Sequence, residues 1–287
     1  MNSNTKPGND ISVRLAREAD RRQLATLIDF GTYVHQHLDW RTPLDWVGHQ
    51  PYLVAERDCC LVAAMACPPD LPDMAWIRLF ATSPDVSVRY AWESLWAAAR
   101  DQLAGTNICV AAMPHQSWFR KLLEATAFVY LCDVVMLEWV ANGQPPAHCH
   151  STCSIRPMEI YDLPAVQAVD AESFSPIWQN SAALLKIAVE RAAIATVAED
   201  ESGIIGYQIS TASAACGHLA RLAVHPRLQS RGVGYALVQD LLAQFRRWGA
   251  LKVTVNTQTD NQASLSLYKE ADFQRTDRIY PVYQTYL

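Results

Sequence analysis

A glycine-containing turn at residues 229–236 carries the strongest chemical signal in the sequence. An apolar strand is predicted to end at Val224, and a long amphipathic helix is predicted to begin near Gly232. Glycines in such a turn let backbone N–H groups approach a small anion without a Cβ in the way. The helix start adds unbonded N–H groups and the positive end of its dipole. The segment is therefore predicted to cradle a phosphate group with Gln229, Ser230, Arg231, Gly232, Val233, Gly234, Tyr235 and Ala236.

Three kinds of phosphate site share a turn of this type. A P-loop requires Gly-Lys-Ser/Thr after its glycines, whereas Tyr235-Ala236 follows here. A dinucleotide-binding fingerprint requires a third glycine, and Leu237 stands in its place. The third kind requires a second block downstream. Such a block follows a predicted strand at 251–256, and residues 261–273 read Asn-Gln-Ala-Ser-Leu-Ser-Leu-Tyr-Lys-Glu-Ala-Asp-Phe.

The two blocks together resemble the GNAT superfamily of acyl-CoA-dependent N-acyltransferases. The first block is similar to that family's Q/R-x-x-G-x-G/A loop, and the second to its N-x-x-A/S-x-x-L-Y-x-x-x-G-F helix. One position departs from the pattern, because Asp272 stands where the family usually has Gly. This change affects a local turn rather than the reaction. The resemblance implies an N-acetyltransferase that uses acetyl-CoA as its acyl donor.

The resemblance also implies roles for individual residues. The strand residues Leu222, Ala223 and Val224 are expected to pair with the pantetheine amides of the donor. The N–H of Val224 would then face the thioester oxygen. Asn261 corresponds to the family's cofactor-contacting Asn, although it is equally suited to cap the next helix. Tyr268 occupies the general-acid position, where a phenol with a pKa near ~10 protonates the leaving thiolate.

The general base is open to three interpretations. Many relatives carry a Glu on the cofactor strand, six residues before its last Val, and His218 stands at that position. An imidazole with a pKa near ~6.5 accepts a proton from an ammonium group through water. Glu172, and a water chain without a dedicated base, are the alternatives.

The first half of the chain is predicted to be a degenerate copy of the second. Residues 11–20 and 153–162 both give a short strand followed by an acidic helix start. Aligning residues 81–84 with 223–226 places Tyr90 on Gly232 and Trp92 on Gly234. The last block places Leu123 on the tyrosine. Because this copy lacks the glycines and the proton donor, its aromatic side chains are predicted to fill the vacated cofactor groove.

These patterns predict an α/β (α+β) fold of two tandem GNAT-like domains, each a mixed, mainly antiparallel sheet flanked by helices. In the second domain, the cofactor strand is expected to splay from the strand that follows it. The predicted segments are a flexible or disordered N-terminus at 1–10, a degenerate domain at 11–140, a linker at 141–152 and an active acetyltransferase domain at 153–287.

The composition narrows the classes of partner. The chain has 287 residues and a net charge of −5 without a basic run, which argues against nucleic-acid binding. No stretch approaches ~18 consecutive apolar residues, so no membrane span is expected. The polar N-terminus lacks a signal peptide, and the scattered cysteines read as reduced thiols in the cytoplasm. His148, Cys149, His150 and Cys153 lack a second ligand pair at zinc spacing, so no metal is expected.

The acceptor of the acetyl group is not fixed by these motifs. We expect a small primary amine, because a whole second domain is retained, as in tandem GNAT enzymes that acylate small amines. The C-terminal half is also similar to enzymes that acetylate the N-terminus of a ribosomal protein. A non-catalytic acyl-CoA sensor or scaffold is the third alternative. Phe174, Ile177 and Trp178 are predicted either to wall the acceptor groove or to join two helices.

Overall fold

The computed structural model describes residues 11–105, 107–141 and 153–287. The chain forms two compact units. The first comprises the residues up to Leu131 together with Val282–Leu287, and the second comprises Cys132–Pro281. These bounds differ from the division expected from the sequence, since the C-terminal residues join the first unit. The expected N-terminal segment 1–10 and linker residues 142–152, with His148, Cys149 and His150, lie outside the described residues.

The first unit is built from short strands and three helices. Its strands are β1 (Ser12–Leu15), β2 (Tyr33–Gln36), β3 (Tyr52–Arg57), β4 (Cys60–Ala66), β5 (Pro69–Leu71), β6 (Met74–Trp76), β7 (Leu79–Thr82) and β8 (Cys109–Ala112), and its helices are α1 (Arg21–Phe30), α2 (Val88–Leu103) and α3 (Ser117–Glu124). A five-stranded antiparallel sheet has the order β1-β3-β4-β7-β2. In a second ladder, β6 pairs antiparallel with β5 and parallel with β8.

The second unit carries the predicted site in a longer sheet. Its elements are β9 (Val129–Val140), β10 (Ser154–Pro157), α4 (Leu163–Ser173), α5 (Ala182–Glu190), β11 (Ile194–Asp200), β12 (Gly203–Ser213), β13 (Cys216–Val224), α6 (Val233–Arg247), β14 (Lys252–Gln258), α7 (Gln262–Glu270) and β15 (Gln274–Tyr286). The strand order is β10-β11-β12-β13-β14-β9-β15. Only β13 and β14 run parallel among the pairs from β10 to β9. Sheets that are mainly antiparallel, with helices, confirm the predicted fold class.

The strands β13 and β14 part halfway along their length. Their parallel pairing joins Cys216–Leu219 to Lys252–Val255 and extends no further, although β13 continues to Val224. On its other side, β13 stays paired with β12 to its end, with a register shift at Ile209/Ser210. The shift is a β-bulge, which bends a strand locally. The splayed cofactor strand predicted from the sequence is therefore confirmed.

Each unit begins with the same partly buried ion network. In the first, Arg14 forms two hydrogen bonds with Asp20, at 2.7 and 2.8 Å, and a third with Glu56 on β3. In the second, Arg156 binds Asp162 at 2.7 and 2.9 Å, and Glu199 on β11. Each glutamate lies directly after a register shift in its strand pair, which is β3–β4 in the first unit and β11–β12 in the second. Since the sequences around these networks differ, the shared geometry supports an internal repeat.

The end of β13 has a counterpart in the first unit, namely β7. The N–H of His225 donates to Ile205 O at 2.9 Å, and the N–H of Ser83 donates to Val62 O at 2.8 Å. Each bond is made by the residue just after its strand. It extends the antiparallel pairing of β13 with β12 in the second unit, and of β7 with β4 in the first. The alignment of residues 81–84 with 223–226 therefore holds in the structure.

The first unit covers the strand edge that the second leaves open. β2 pairs antiparallel along β7, with Tyr33 opposite Thr82. In addition, α2 already begins at Val88, so Tyr90 lies in its first turn rather than in a loop corresponding to the glycine turn. Trp92 is 1% exposed and lies among aromatic rings; the ring centroids of Phe80, Phe119 and Phe128 are 5.2, 5.6 and 6.1 Å away. Because α2 begins at Val88 and α6 at Val233, Trp92 does not stand at the position of Gly234, contrary to the alignment. β2 covers the edge of β7, and Trp92 packs in the core of the first unit.

Candidate active site

The glycine turn leads into α6 through two left-handed residues. Ser230 has φ +61° and Gly232, which precedes the helix, has φ +83°. The first backbone bond of the helix is from Ala236 N to Gly232 O, at 2.9 Å, so the N–H groups of Val233 and Gly234 have no acceptor within the helix. Among the residues that the structure describes, no side chain caps this helix start. The side chains of Val233 and Ala236 are buried, which leaves backbone N–H groups to meet an anion.

Gly234 has a packing role that the sequence did not reveal. A Cβ at this position would lie 3.2 Å from Cδ2 of Leu267 and 3.6 Å from Cγ2 of Val224. The end of β13, the start of α6 and helix α7 therefore meet at this glycine. Its missing side chain serves close packing of three elements, in addition to any approach of a ligand.

The open edge of β13 carries the backbone groups predicted to meet the donor. Because the N–H of His225 points to β12 and successive amides of a strand alternate, the N–H of Val224 points away from β12. The N–H of Leu222 points the same way, at a level where β14 no longer pairs. Ala223, opposite Tyr207, faces β12 instead. Within the described residues, the N–H groups of Leu222 and Val224 on this edge have no backbone partner, so they can bind an extended amide-containing chain such as the pantetheine arm of CoA.

The carbonyl of Val224 is held from two sides. It accepts hydrogen bonds from Ser173 Oγ at 3.1 Å and from Gln229 Nε2 at 3.0 Å. The side chain of Gln229, predicted in the cradle, is thus bound to the strand end. The side chain of Arg231 carries its charge beside the same turn and is exposed.

Tyr268 lies where a buried proton donor is expected. Its side chain is 4% exposed and belongs to a cluster with Leu219, Val255 and Phe273. Within the described part of the chain, its hydroxyl group makes no hydrogen bond. Burial raises the pKa of this phenol above its ordinary value of 10.0. The phenol of Tyr268 therefore keeps its proton at neutral pH. No acceptor among the described residues forms a hydrogen bond with it.

His218 lies in the paired part of β13, before the strands part. Its Nδ1 is 2.8 Å from Oγ1 of Thr254 on β14, and burial lowers the pKa of its imidazole below 6.5. The hydroxyl of Thr254 also lies within 3.5 Å of Gly217 O. When Thr254 donates to that carbonyl, Nδ1 of His218 carries the proton and Nε2 keeps its lone pair. Leu219 contributes to the cluster around Tyr268, so alternation along the strand places His218 on the opposite face of the sheet.

Two other predicted residues already have partners. Asn261 caps α7, with Oδ1 accepting the N–H of Ser264 at 3.1 Å. This is the structural role that the sequence allowed beside a contact with CoA. Glu172, the alternative base, lies 3.0 Å from His225 Nε2 and is 56% exposed. An exposed carboxylate bound to a histidine is a weaker base candidate than His218.

A buried polar cluster beside the site was missed by sequence reasoning. Asp170 on α4 is 0% exposed and accepts hydrogen bonds from Tyr207 Oη and from Arg221 Nε, the latter at 2.8 Å. The guanidinium carbon of Arg221 lies 3.7 Å from the ring centroid of Phe174. The only sequence signal was an Asp in the apolar pattern of α4 and an Arg in the cofactor strand.

Comparisons with known proteins agree with this geometry. Residues 158–273 match the family model described as the acetyltransferase (GNAT) family. Over 67 residues, the chain is 31% identical to N-alpha-acetyltransferase 30 of Schizosaccharomyces pombe. That match covers 23% of this chain and 45% of the relative, so it spans less than half of the relative's length.

Solved structures extend the likeness of fold to nearly the whole chain. A GCN5-related N-acetyltransferase from Sphaerobacter thermophilus has a TM-score of 0.61 at 18% identity, covering 98% of this chain and 97% of that one. A tandem GNAT protein from the clavulanic acid biosynthesis pathway has a TM-score of 0.63 at 13% identity, covering 96% and 98%. In the described ranges, no three His, Cys, Asp or Glu side chains form a group suited to a metal ion, and no helix has the length and apolar character needed to cross a membrane. Residues 158–273 are therefore similar to the acetyltransferase (GNAT) family, and the fold of the chain is similar to that of a tandem GNAT protein.

Proposed function

We propose that the protein is an N-acetyltransferase that moves the acetyl group of acetyl-CoA directly to a primary amine. The observation that carries this proposal is the open edge of β13 at Leu222–Val224, which ends at the uncapped start of α6. The edge fits the amide groups of pantetheine, and the helix start fits the pyrophosphate. The match of residues 158–273 to the acetyltransferase (GNAT) family model supports the same assignment.

Each step of the reaction has a candidate group in the second unit. Acetyl-CoA supplies the activated acyl group, and the amine nitrogen forms a bond to the carbonyl carbon as the C–S bond breaks. The N–H of Val224 is placed to stabilise negative charge on the carbonyl oxygen. Tyr268 gives its proton to the departing thiolate, and His218 takes the proton of the amine through water. Because His218 and Tyr268 lie on opposite faces of the sheet, we assign the acceptor to the face of His218.

For the acceptor, we propose a small primary amine. The retention of a complete first unit, as in the tandem GNAT protein, supports this choice. The N-terminal amine of a protein is the second candidate, and it is favoured by the similarity to an N-alpha-acetyltransferase. We place the reaction in the cytoplasm, because the exposed Cys59 and Cys60 and the buried Cys67 and Cys109 are free thiols.

Thiol release with a panel of acceptors tests the proposal. Acetyl-CoA is first expected to raise the melting temperature of the protein. Small amines and peptides with free N-termini are then compared, and we expect acetyl-CoA-dependent thiol release with the amines. Release only with peptides would replace the small amine by the second candidate. Binding of acetyl-CoA without release by any acceptor would leave a sensor or scaffold, which is contrary to our proposal.

A further inference from the structure

The cluster around Asp170 ties the connection between α4 and α5 to the cofactor strand. Besides the bonds of Tyr207 and Arg221, Asp170 Oδ1 accepts the N–H of Asn180 at 3.1 Å. Gln179 Nε2 donates to Ala171 O at 2.9 Å and to Phe174 O at 2.8 Å. The connecting segment 174–181 is therefore fixed at both ends to the last turns of α4.

Arg221 is the link between this segment and β13. Its Nε and Nη2 both bind Oδ2 of Asp170, at 2.8 and 2.5 Å, and its guanidinium lies over the ring of Phe174. The side chain of Arg221 is only 12% exposed and that of Asp170 is 1% exposed. Loss of either partner of an ion pair at this depth strongly destabilises the surrounding structure, because the other charge stays buried without a partner.

The position of Arg221 places this link on the acceptor side. It follows the bulge at which β13 turns away from β14 and precedes Leu222 directly. Leu222 contacts the cluster of Tyr268, so alternation puts Arg221 on the opposite face, the face of His218. The features assigned to acetyl-CoA, which are the strand edge and the start of α6, are backbone groups that Arg221 does not contact.

We propose that Arg221 and Asp170 are positioning residues that hold segment 174–181 as a wall of the acceptor site. The inference rests on the proposed function, since it assigns this face to the acceptor amine. The pair sets the place of Phe174 relative to β13 and leaves the binding of acetyl-CoA to other groups. Two variants weaken the link by different means: Arg221→Lys keeps the charge but loses the planar fork, and Phe174→Leu keeps an apolar wall but loses the stacked ring.

Tyr207→Phe is the matched control. It removes the hydrogen bond from Tyr207 to Asp170 and a longer one from Arg221 Nε to Tyr207 Oη, at 3.4 Å. The bonds that Arg221 and Asn180 donate to Asp170 stay in place. Four quantities are measured for each variant: the dissociation constant of acetyl-CoA, KM and kcat for the amine found in the acceptor panel, and the rate of hydrogen exchange of the amides in 174–181 without substrates.

For Arg221→Lys and Phe174→Leu, we expect KM for the amine to rise about tenfold, equivalent to about 1.4 kcal/mol, with acetyl-CoA affinity within about twofold of wild type. Exchange in 174–181 should be faster, whereas Tyr207→Phe should leave KM and exchange nearly unchanged. An unchanged KM, unchanged exchange or an equal loss of acetyl-CoA affinity would overturn the inference.

The two proposals can fail separately. If no amine is acetylated, the proposed function fails, and the exchange and affinity measurements still decide the inference. Faster exchange confined to 174–181, with normal acetyl-CoA affinity, would then support the wall, and any other pattern would reject it.

Discussion

At the scale of single residues, burial sets the protonation states that the proposed chemistry needs. The pKa of Tyr268 is raised by burial and that of His218 is lowered by burial. Near neutral pH, the phenol therefore carries its proton while the imidazole is uncharged and free to accept one. The same physical cause thus prepares an acid and a base in one domain.

Replacing Tyr268 by Phe tests the acid. We expect kcat to fall by ~10²–10⁴-fold, the usual contribution of a general acid, with the dissociation constant of acetyl-CoA little changed. Because the pKa of the phenol is raised, wild-type kcat should show no basic limb from this group below pH ~10. Normal turnover in the variant, with chemistry shown to be rate-limiting, would exclude Tyr268 as the acid.

The lowered pKa of His218 predicts how the rate falls at low pH, which is the acidic limb of the rate profile. A base with a lowered pKa loses activity only when the pH falls below ~6.5, since the protonated imidazole cannot accept a proton. We expect the midpoint of kcat/KM below that value, and we expect His218→Ala to remove the limb and lower the plateau. Thr254→Val removes the hydrogen-bond partner of His218 Nδ1. In this variant we expect the loss of activity at low pH to remain, with its midpoint at a different pH. A limb that survives in His218→Ala assigns the base to another group.

At the scale of secondary-structure elements, α6 offers an internal comparison. Gly232 before the helix and Gly249 after it have φ +83° and +77°. Alanine at either position is expected to destabilise the protein similarly, by about 1–2 kcal/mol, because a Cβ is disfavoured at such φ. Only Gly232→Ala should also weaken the binding of acetyl-CoA, because it displaces the N–H groups at the start of the helix. Unfolding by urea and calorimetric titration measure both effects, and equal losses of affinity in the two variants would contradict the cradle.

The elements of the site were predictable because their signals are local. The order strand, glycine turn, helix, strand, capped helix was correct from Leu222 to Tyr268, and the splay of β13 followed from the resemblance. β2 was not predictable, since residues 33–36 have no periodicity that marks a strand and pair only with β7, which is distant in sequence. The link between Asp170 and Arg221 likewise joins residues far apart in the chain. Non-local pairing of this kind leaves no pattern within a single segment.

At the scale of the whole molecule, the two units predict a single donor site. In the first unit, β2 covers the edge of β7, and the helix that follows begins at Val88 without a glycine in its first turn. We therefore expect titration calorimetry to give one acetyl-CoA per chain, and Gly232→Ala to weaken that one site. Two sites of similar affinity would show that the first unit also binds the donor.

The first unit also predicts how stability depends on pH. His35 is 0% exposed, and burial lowers its pKa from 6.5 to about 3. Above pH ~6.5 the group is neutral in both states and contributes no pH dependence. Below that pH, the unfolded chain binds a proton that the folded chain excludes, so stability is lost by up to ~1.4 kcal/mol per pH unit. Urea unfolding at pH 7.5 and 5 should show a smaller difference in His35→Phe than in wild type. The exposed His49→Gln should behave as wild type, and an equal effect of both variants would contradict this origin.

The unpaired edge of β13 has a consequence for the lifetime of the protein. An uncovered strand edge is a template for pairing with other chains, and native proteins usually shield such edges. The first unit shields its own edge with β2, whereas we propose that the donor substrate covers the edge in the second unit. By mass action, a ligand at a hundred times its dissociation constant adds about 2.7 kcal/mol to the stability of the fold. If acetyl-CoA binds at this edge as we propose, we expect the protein to aggregate or be degraded faster when the supply of acetyl-CoA falls.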